Sequence, residues 1–462
     1  MELASIARVA VSAATYTIDK PYDYLIPEKL LEKVRPGVRV AVPFGRGNKA
    51  SEGFVLAVGQ DSKRGELKAV GEVLDGESVL SPRQIKLALW LRERYFCTLY
   101  NAVKVLLPAG LWYRLREVCT LAVDRETALK AGANEKESRI LETLVSHGGS
   151  AELETLRLAC GEGAAAVVRE LHRRGAVTVE AAAGRRVSDK QASRISLAVS
   201  AEEALAAVEP RRRSAPMRYE VIRLLCSAGP ALSGDVCYFT GASMRTLQSL
   251  EKSGLVTFSQ VEVLRVPRPE AAEGGPIVLT GEQQAAYDGI LARLDEGKAS
   301  CALLYGVTGS GKTSVYIRLL QEVVRRGKQG MILVPEIALT PQMMARFTAY
   351  FGDRVVMLHS GLRMTERYDQ WKRIRRGEVD IVLGTRSAVF APLENLGMII
   401  LDEEHESSYQ SENPPRYHAR DVAKFLCSQQ EAVLVLGSAT PSVETTFQAQ
   451  KGVYQKLILR SR

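Results

Sequence analysis

No two cysteines in this sequence stand in a C-x-x-C spacing, and no cluster of histidines accompanies them. Cys97, Cys119, Cys160, Cys226, Cys237, Cys301 and Cys427 are scattered along the 462 residues. That pattern excludes the usual zinc knuckle and a disulfide framework, so no zinc ligands are expected within the chain. No run of eighteen apolar residues occurs, which excludes a membrane-spanning helix and a membrane partner. The start, Met1-Glu-Leu-Ala-Ser-Ile6, lacks a basic segment followed by an apolar one. It does not read as a secretory signal, and a cytoplasmic location is expected. What is present is ordinary: 46% hydrophobic and 25% charged residues, in a length that suits about three or four domains. The net charge of +9 leans toward a polyanionic partner, although a solvated basic surface accounts for it equally well.

The most informative stretch is Gly306-Val-Thr-Gly-Ser-Gly-Lys-Thr313. It fits G-x-x-x-x-G-K-[ST] at every required position. Gly306, Thr308, Gly309, Ser310 and Gly311 are small enough to let successive backbone N–H groups close around phosphate oxygens. The helix that follows adds its positive N-terminal end. Lys312 supplies a point charge for the β/γ-phosphates, and the Thr313 hydroxyl suits Mg²⁺. The apolar run 301–305 reads as a strand and Ser314–Arg326 as a helix, which is the context this loop needs. ATP and Mg²⁺ are the expected cofactors.

Residues 1–110 open with short β segments at 6–11, 22–26, 39–42 and 53–58, separated by Pro and Gly turns, as in a small barrel or sandwich. Ser81-Pro82 then starts a helix running to about Tyr95. By composition alone this domain is a binding or scaffold module. Residues 115–200 and 214–266 carry two copies of one order: amphipathic helix, second helix, Gly stop, β-branched strand. That is the order of a winged helix-turn-helix unit. DNA binding and a role as spacer or protein contact both stay open for it. The segments 181–186 and 209–216 read as linkers, and Pro/Gly-rich 267–276 as the strongest linker of the chain.

From 277 to 462 the text alternates apolar strands with helices, as in a mostly parallel sheet covered on both faces. Met398-Ile-Ile-Leu-Asp-Glu-Glu-His405 delivers carboxylates at a strand's C-terminal end, where ligands sit in open α/β sheets. Asp402 suits Mg²⁺, Glu403 suits the orientation and deprotonation of water, and His405 suits a γ-phosphate sensor. Gly437-Ser-Ala-Thr-Pro441 follows another buried strand. Its Ser438 and Thr440 stand where a hydroxyl relay would meet His405. Gln283, about twenty residues before the phosphate loop, is placed to read an adenine edge. Thr385 and Arg386 fall at a strand-to-loop junction that suits a nucleic acid backbone.

These motifs, in this order, resemble lobe one of a superfamily-two DExH helicase. Asp402-Glu-Glu-His-Glu-Ser-Ser-Tyr409, Arg416-Tyr-His-Ala-Arg-Asp421 and Leu333-Val-Pro-Glu-Ile-Ala-Leu-Thr-Pro-Gln342 are similar to the bacterial replication-restart helicases of the PriA (primosomal protein N′) family. So are Tyr22-Asp-Tyr-Leu-Ile-Pro-Glu28, Val40-Ala-Val-Pro-Phe-Gly45 and Glu66-Leu-Lys-Ala-Val70. The resemblance implies an N-terminal domain that captures a DNA 3′ end, with Tyr22 stacking on the last base and Asp23, Gly45 and Lys68 completing the pocket. It implies that Tyr409, Arg416 and Tyr417 belong to a loop coupling DNA binding to hydrolysis. Pro414-Pro415 departs from the Gly-Trp of some members. It implies forked DNA, single-strand DNA-binding protein and helicase-loading primosome proteins as partners. A second lobe, zinc and a C-terminal domain would lie beyond Arg462, the zinc ligands among them. On that expectation the chain is the N-terminal portion of an ATP-dependent 3′-to-5′ DNA helicase with impaired turnover. A non-enzymatic fork-binding fragment and a different DExH repair helicase are the alternatives.

Overall fold

The computed structural model describes residues 4–61, 67–108, 111, 113–130, 132–161, 163–185, 191–262 and 274–461. Glu66 and residues 267–273 of the expected linker lie outside the described residues. The chain divides into two units: Val187–Pro267 is one, and Met1–Arg186 with Arg268–Arg462 is the other.

The N-terminal domain is a five-stranded antiparallel sheet. Its strands are β1 (Ala4–Val11), β2 (Tyr22–Leu25), β3 (Arg39–Phe44), β4 (Lys49–Asp61) and β5 (Glu72–Val73), in the order β2-β1-β4-β3-β5. The β-rich expectation therefore takes the form of one sheet rather than a sandwich of two. Val9, Val11, Val38, Val40 and Val55 alternate onto its buried face. Helix α1 (Pro82–Tyr95) begins where expected. Ser81 and Gln84 form a reciprocal capping box, and Pro82 occupies the first turn. Helix α2 (Leu99–Lys104) follows.

A fully buried Arg39 pins this domain. Its guanidinium forks onto Asp75, with Nε 2.7 Å from Oδ2, and lies 3.6 Å from Glu52. Tyr100 donates to Glu52 at 3.0 Å. Burial pushes the Glu52 carboxyl upward, and Arg39 opposes that shift.

The next module comprises β6 (Tyr113–Leu121), α3 (Arg125–Lys130), α4 (Glu135–Ser146), β7 (Ser150–Glu152), α5 (Leu153–Cys160), α6 (Ala164–Arg173) and β8 (Val177–Arg185). Its sheet has the order β7-β6-β8. Residues 181–185, read from sequence as linker, are the end of β8 and pair with β6.

The second unit holds β9 (Gln191–Leu197), α7 (Ala201–Val208), α8 (Pro216–Ala228), β10 (Ala231–Leu232), α9 (Ser233–Thr240), α10 (Met244–Lys252) and β11 (Val256–Glu262). Both modules thus carry the winged-helix order of elements. The boundary at 200 is corrected: β9 pairs with β11 from Gln191–Glu262 to Leu197–Val256. Ile195 joins the core of Val221, Leu250 and Val256. Residues 209–216 connect α7 to α8 inside this unit, so they do not link domains.

The C-terminal lobe contains α11 (Gly281–Asp295), β12 (Ser300–Gly306), α12 (Lys312–Arg325), β13 (Gln329–Leu333), α13 (Pro341–Phe351), β14 (Val355–Leu358), α14 (Met364–Arg375), β15 (Ile381–Gly384), β16 (Leu396–Leu401), α15 (Ala419–Gln430), β17 (Val433–Ser438), α16 (Val443–Gln450) and β18 (Gln455–Leu459). The seven strands are parallel in the order β14-β15-β13-β16-β17-β12-β18. Every residue of β15, β16 and β17 is buried, which is why these strands read as unbroken apolar runs. The N-terminal domain rests on this lobe through α1 and α15. Trp90 stacks on Phe425 with centroids 4.7 Å apart, and Tyr95 Oη meets Asp421 at 3.3 Å.

Removing Arg39 leaves two buried carboxylates without their cation. Arg39→Ala is expected to lower unfolding free energy by about 3–5 kcal/mol, read by urea titration of the intact chain. A loss under about 1 kcal/mol would show that the buried cluster is not what pins the domain.

Candidate functional site

Sheet order brings the chemistry together. The carboxyl end of β12 runs into the phosphate loop, and that of β16 runs into Asp402. β17, ending in Gly437-Ser438, lies between them. The loop is built as its glycines require. Gly309 and Gly311 have φ of +84° and +78°, a region costly for any residue with a Cβ. A Cβ at Gly306 would press on the Ser310 hydroxyl. Lys312 is the first residue of α12 and only 8% exposed. Its Nζ donates to the Gly306 carbonyl at 2.9 Å and stands 3.3 Å from Glu403. Ser310 Oγ is buried and makes no hydrogen bond within the protein. An orphaned hydroxyl and a buried cation facing a cradle of backbone amides fit a polyphosphate.

Gln283 sits beside this loop, but its amide is bonded to the protein itself. Nε2 donates to the Ser310 carbonyl at 3.0 Å, and Oε1 accepts from the Thr280 N–H in a capping box. These two bonds hold the half-buried side chain against the phosphate loop. Thr308 and Gly309 are exposed at the loop's rim, and Thr313 is half-buried on α12.

Asp402 is held by an element that sequence reasoning missed. Tyr316, fully buried one turn into α12, donates its hydroxyl to Asp402 Oδ1 at 2.9 Å. Burial raises the Asp402 carboxyl above the ordinary carboxylate range; the Tyr316 bond acts against that rise. Gly437 is required here, since a Cβ would collide with Tyr316 Oη and stand 3.2 Å from Asp402 Oδ1. Behind it, the buried Tyr409 hydroxyl lies 2.7 Å from the Asp402 carbonyl and 2.9 Å from that of Leu333. Tyr409 was expected on the DNA side. It is fully buried, so its role in this geometry is to brace the Asp402 backbone.

Glu403 turns sharply out of the strand with φ +45°, which aims its carboxylate at Lys312. The His405 ring spans two hydroxyls, with Nδ1 2.9 Å from Ser438 Oγ and Nε2 3.3 Å from Thr440 Oγ1. The His405, Ser438 and Thr440 side chains are therefore brought together. Glu404, unassigned in the sequence reading, is buried and accepts from Ser442 N at 2.7 Å and from Arg420 Nη1 and Thr445 Oγ1 at 3.0 Å. Arg420 lies inside the quoted 416–421 motif. An arginine set among apolar helix positions was the signal available for it.

The Arg386 guanidinium donates to the Ser408 carbonyl at 3.1 Å and the Gln410 carbonyl at 2.5 Å, locking the loop after Asp402 to the end of β15. Thr385 is buried, with its N–H on Leu358 O at 3.1 Å. Tyr417 is buried edge-on against Phe390, and burial pushes its hydroxyl up to about 12. Arg416 is exposed, beside a cis Pro414–Pro415 bond.

In the N-terminal domain the Tyr22 ring meets Phe44 edge-on at 5.1 Å, with Lys20 Nζ 5.6 Å from its centroid. Lys68 Nζ donates to the Gly45 carbonyl at 2.6 Å, and Leu25 bridges Ala69. Asp23 pairs with Arg8 at 3.2 Å. An aromatic face, a lysine and a left-handed glycine thus share one corner of the sheet. Among the described residues no group of three or more His, Cys, Asp or Glu is placed to hold a metal ion, and no helix is long and apolar enough to cross a membrane.

Tyr316→Phe removes the bond that favours the ionised Asp402. The carboxyl then rises further, so at a given pH more of it is protonated and less able to serve as the expected Mg²⁺ ligand. Mg²⁺-dependent nucleotide binding is expected to fail on acidification at a higher pH than in the parent, measured by fluorescent-nucleotide titration across pH. An unshifted profile would count against the bond's role.

Two family profiles match the sequence: the 3'DNA-binding domain (3'BD) over residues 8–108 and the DEAD/DEAH box helicase over residues 280–448. Among curated proteins, replication restart protein PriA of Bacillus subtilis (strain 168) is 36% identical, over 99% of this chain and 56% of that protein. That of Synechocystis sp. is 34% identical, over 92% of this chain and 50% of that protein. That of Treponema pallidum (strain Nichols) is 46% identical over 40% of this chain and 28% of that protein. The chain spans about half the length of the first two.

Proposed function

We propose, from the premise that this chain belongs to the PriA family of replication restart proteins over the length it spans, that it is the fork-recognising and ATP-binding part of a 3′-to-5′ DNA helicase. The observation that carries the reading is the meeting of Lys312, Glu403 and the Tyr316-held Asp402 at adjoining ends of parallel strands. Lys312 and the loop amides hold the β/γ-phosphates. Thr313 and Asp402 hold Mg²⁺, which when bound neutralises charge on the phosphates. Glu403 takes the proton of the attacking water. His405, with Ser438 and Thr440, links this site to the strand end that follows it. Thr385, Arg386 and Arg416 carry the neighbouring DNA contacts, while Tyr409 and Tyr417 act from within as supports. Gln283 acts on the phosphate loop.

The N-terminal corner takes a DNA 3′ end. The Tyr22 face stacks on the last base, Lys68 meets its phosphate, and Gly45 leaves the room that a side chain would fill. Single-strand DNA-binding protein and helicase-loading proteins are the partners, in the cytoplasm, on the strength of family membership. Zinc belongs to that family reading and not to residues described here.

Steady-state ATP hydrolysis with and without a fork bearing a free 3′ end tests the catalytic half. Turnover that rises with the fork and vanishes in Lys312→Ala is the expected result. Fork binding without turnover would instead favour a recognition role alone. Separately, Tyr22→Ala is expected to weaken binding to a free 3′ end by roughly tenfold, the scale of one lost base stack. Binding to a 3′-phosphorylated end should stay unchanged. Equal affinity of parent and variant for the free end would remove Tyr22 from the pocket.

A further inference from the structure

The turn ahead of β2 is held more firmly than a plain connection needs. Asp19, its side chain 6% exposed, accepts from Arg92 Nε at 2.6 Å and from the Leu99 N–H at 3.0 Å. Its carbonyl accepts from Arg92 Nη2 at 2.8 Å. Arg92 stands in the last turn of α1 and Leu99 opens α2, so two helices clamp one residue. The Tyr22 hydroxyl donates to the Ile18 carbonyl at 2.5 Å, which ties the ring to the same turn. Between these anchors stands Lys20. It is exposed, and its Nζ lies 5.6 Å from the Tyr22 ring centroid. The acids nearest to it in sequence are taken, Asp19 by Arg92 and Asp23 by Arg8. Lys20 itself makes no ion pair among the described residues.

On the reading of this corner as a 3′-end site, we infer that Lys20 is a second cation of the pocket, with Asp19 and Arg92 as its positioning residues. It holds the phosphodiester one nucleotide before the phosphate that Lys68 meets. The two lysines stand at opposite ends of β2. Lys20 precedes its first residue, while Lys68 lies across from its last, with the Leu25 N–H on the Lys68 carbonyl at 2.9 Å. Their backbones are thus separated by roughly 10 Å of strand. Their ammonium groups rest on different partners, the Tyr22 ring and the Gly45 carbonyl. Two cations placed so serve two successive phosphates rather than one. A base stacked on the Tyr22 ring brings its backbone beside Lys20, whose flexible stem lets the ammonium leave the ring for a phosphate oxygen. A cation over an exposed ring is weakly held and readily exchanged. Lys20 has no carboxylate to give up in doing so, and the clamp limits the freedom its turn would otherwise lose on binding.

The test uses the whole chain and two competitors for a fluorescent oligonucleotide with a free 3′ end. One is a nucleoside 5′-monophosphate, which carries only the last nucleotide's phosphate. The other is a dinucleotide with a 5′-phosphate, which adds the phosphate before it. Lys20→Ala is expected to weaken the dinucleotide by roughly threefold to fivefold. It should also lower the dinucleotide's salt slope by about 0.7 and leave the monophosphate unchanged. Lys20→Arg, which keeps the charge, should restore the dinucleotide. Arg92→Gln, which loosens the clamp, should weaken the dinucleotide and add little when combined with Lys20→Ala. Additive losses in that pair would overturn the positioning role. Equal losses for the two competitors in Lys20→Ala, or none for the dinucleotide, would overturn the proposal. A parent chain that binds neither competitor, or a Tyr22→Ala variant that holds both as well as the parent, would instead remove the 3′-end reading beneath it.

Discussion

One hydroxyl ties the nucleotide site together. Tyr316 rises from the helix that follows the phosphate loop, crosses under β17 and ends on the Asp402 carboxylate. The bond is made in a dry place, where an ionised carboxylate without a donor is costly. It sets the spacing between the loop and the acidic turn, and it forbids any side chain at Gly437. Three strand ends are therefore held to one geometry by a residue that touches none of the expected reactants. The acidic turn depends on this arrangement for its shape. With Asp402 fixed, Glu403 swings into a left-handed backbone and reaches Lys312. Glu404 turns inward to Arg420 and the N-terminus of α16, and His405 falls between Ser438 and Thr440.

The same economy appears on the outer side of the sheet. Arg386 holds the loop after Asp402 by two backbone carbonyls, and Tyr409 braces that loop from beneath. The end of β15 and the turn that holds Asp402 and Glu403 are thereby tied to one loop. The N-terminal domain is joined to this lobe beside the same region, since Tyr95 and Arg94 both meet Asp421 at the start of α15. A short chain of packed groups runs from α1 through α15 to Arg420 and Glu404.

Much of this was legible in one dimension. The phosphate loop, the acidic strand end and the Gly437–Pro441 motif could be read directly, because their chemistry is local: a glycine is needed where φ is positive, and a carboxylate is useful at a strand's carboxyl end. The unbroken apolar strands announced a parallel sheet for an equally local reason. The start of helix α1 was legible through Ser81 and Pro82. The unit boundary was not legible. β9 belongs with β11, more than fifty residues away, and nothing around Gln191 declares that partner.

The sequence by itself determined which groups could do chemistry and at which element ends they would stand, since capping, turn conformation and burial on both faces are written in near neighbours. Tertiary structure decided which of those groups meet. Tyr316 reached Asp402, Arg420 reached Glu404, and Tyr409 went inward, because strand order rather than strand content sets distances across a sheet. It also left Tyr238 and Phe239 outside. A hydrophobic residue is buried only if the fold supplies something to cover it.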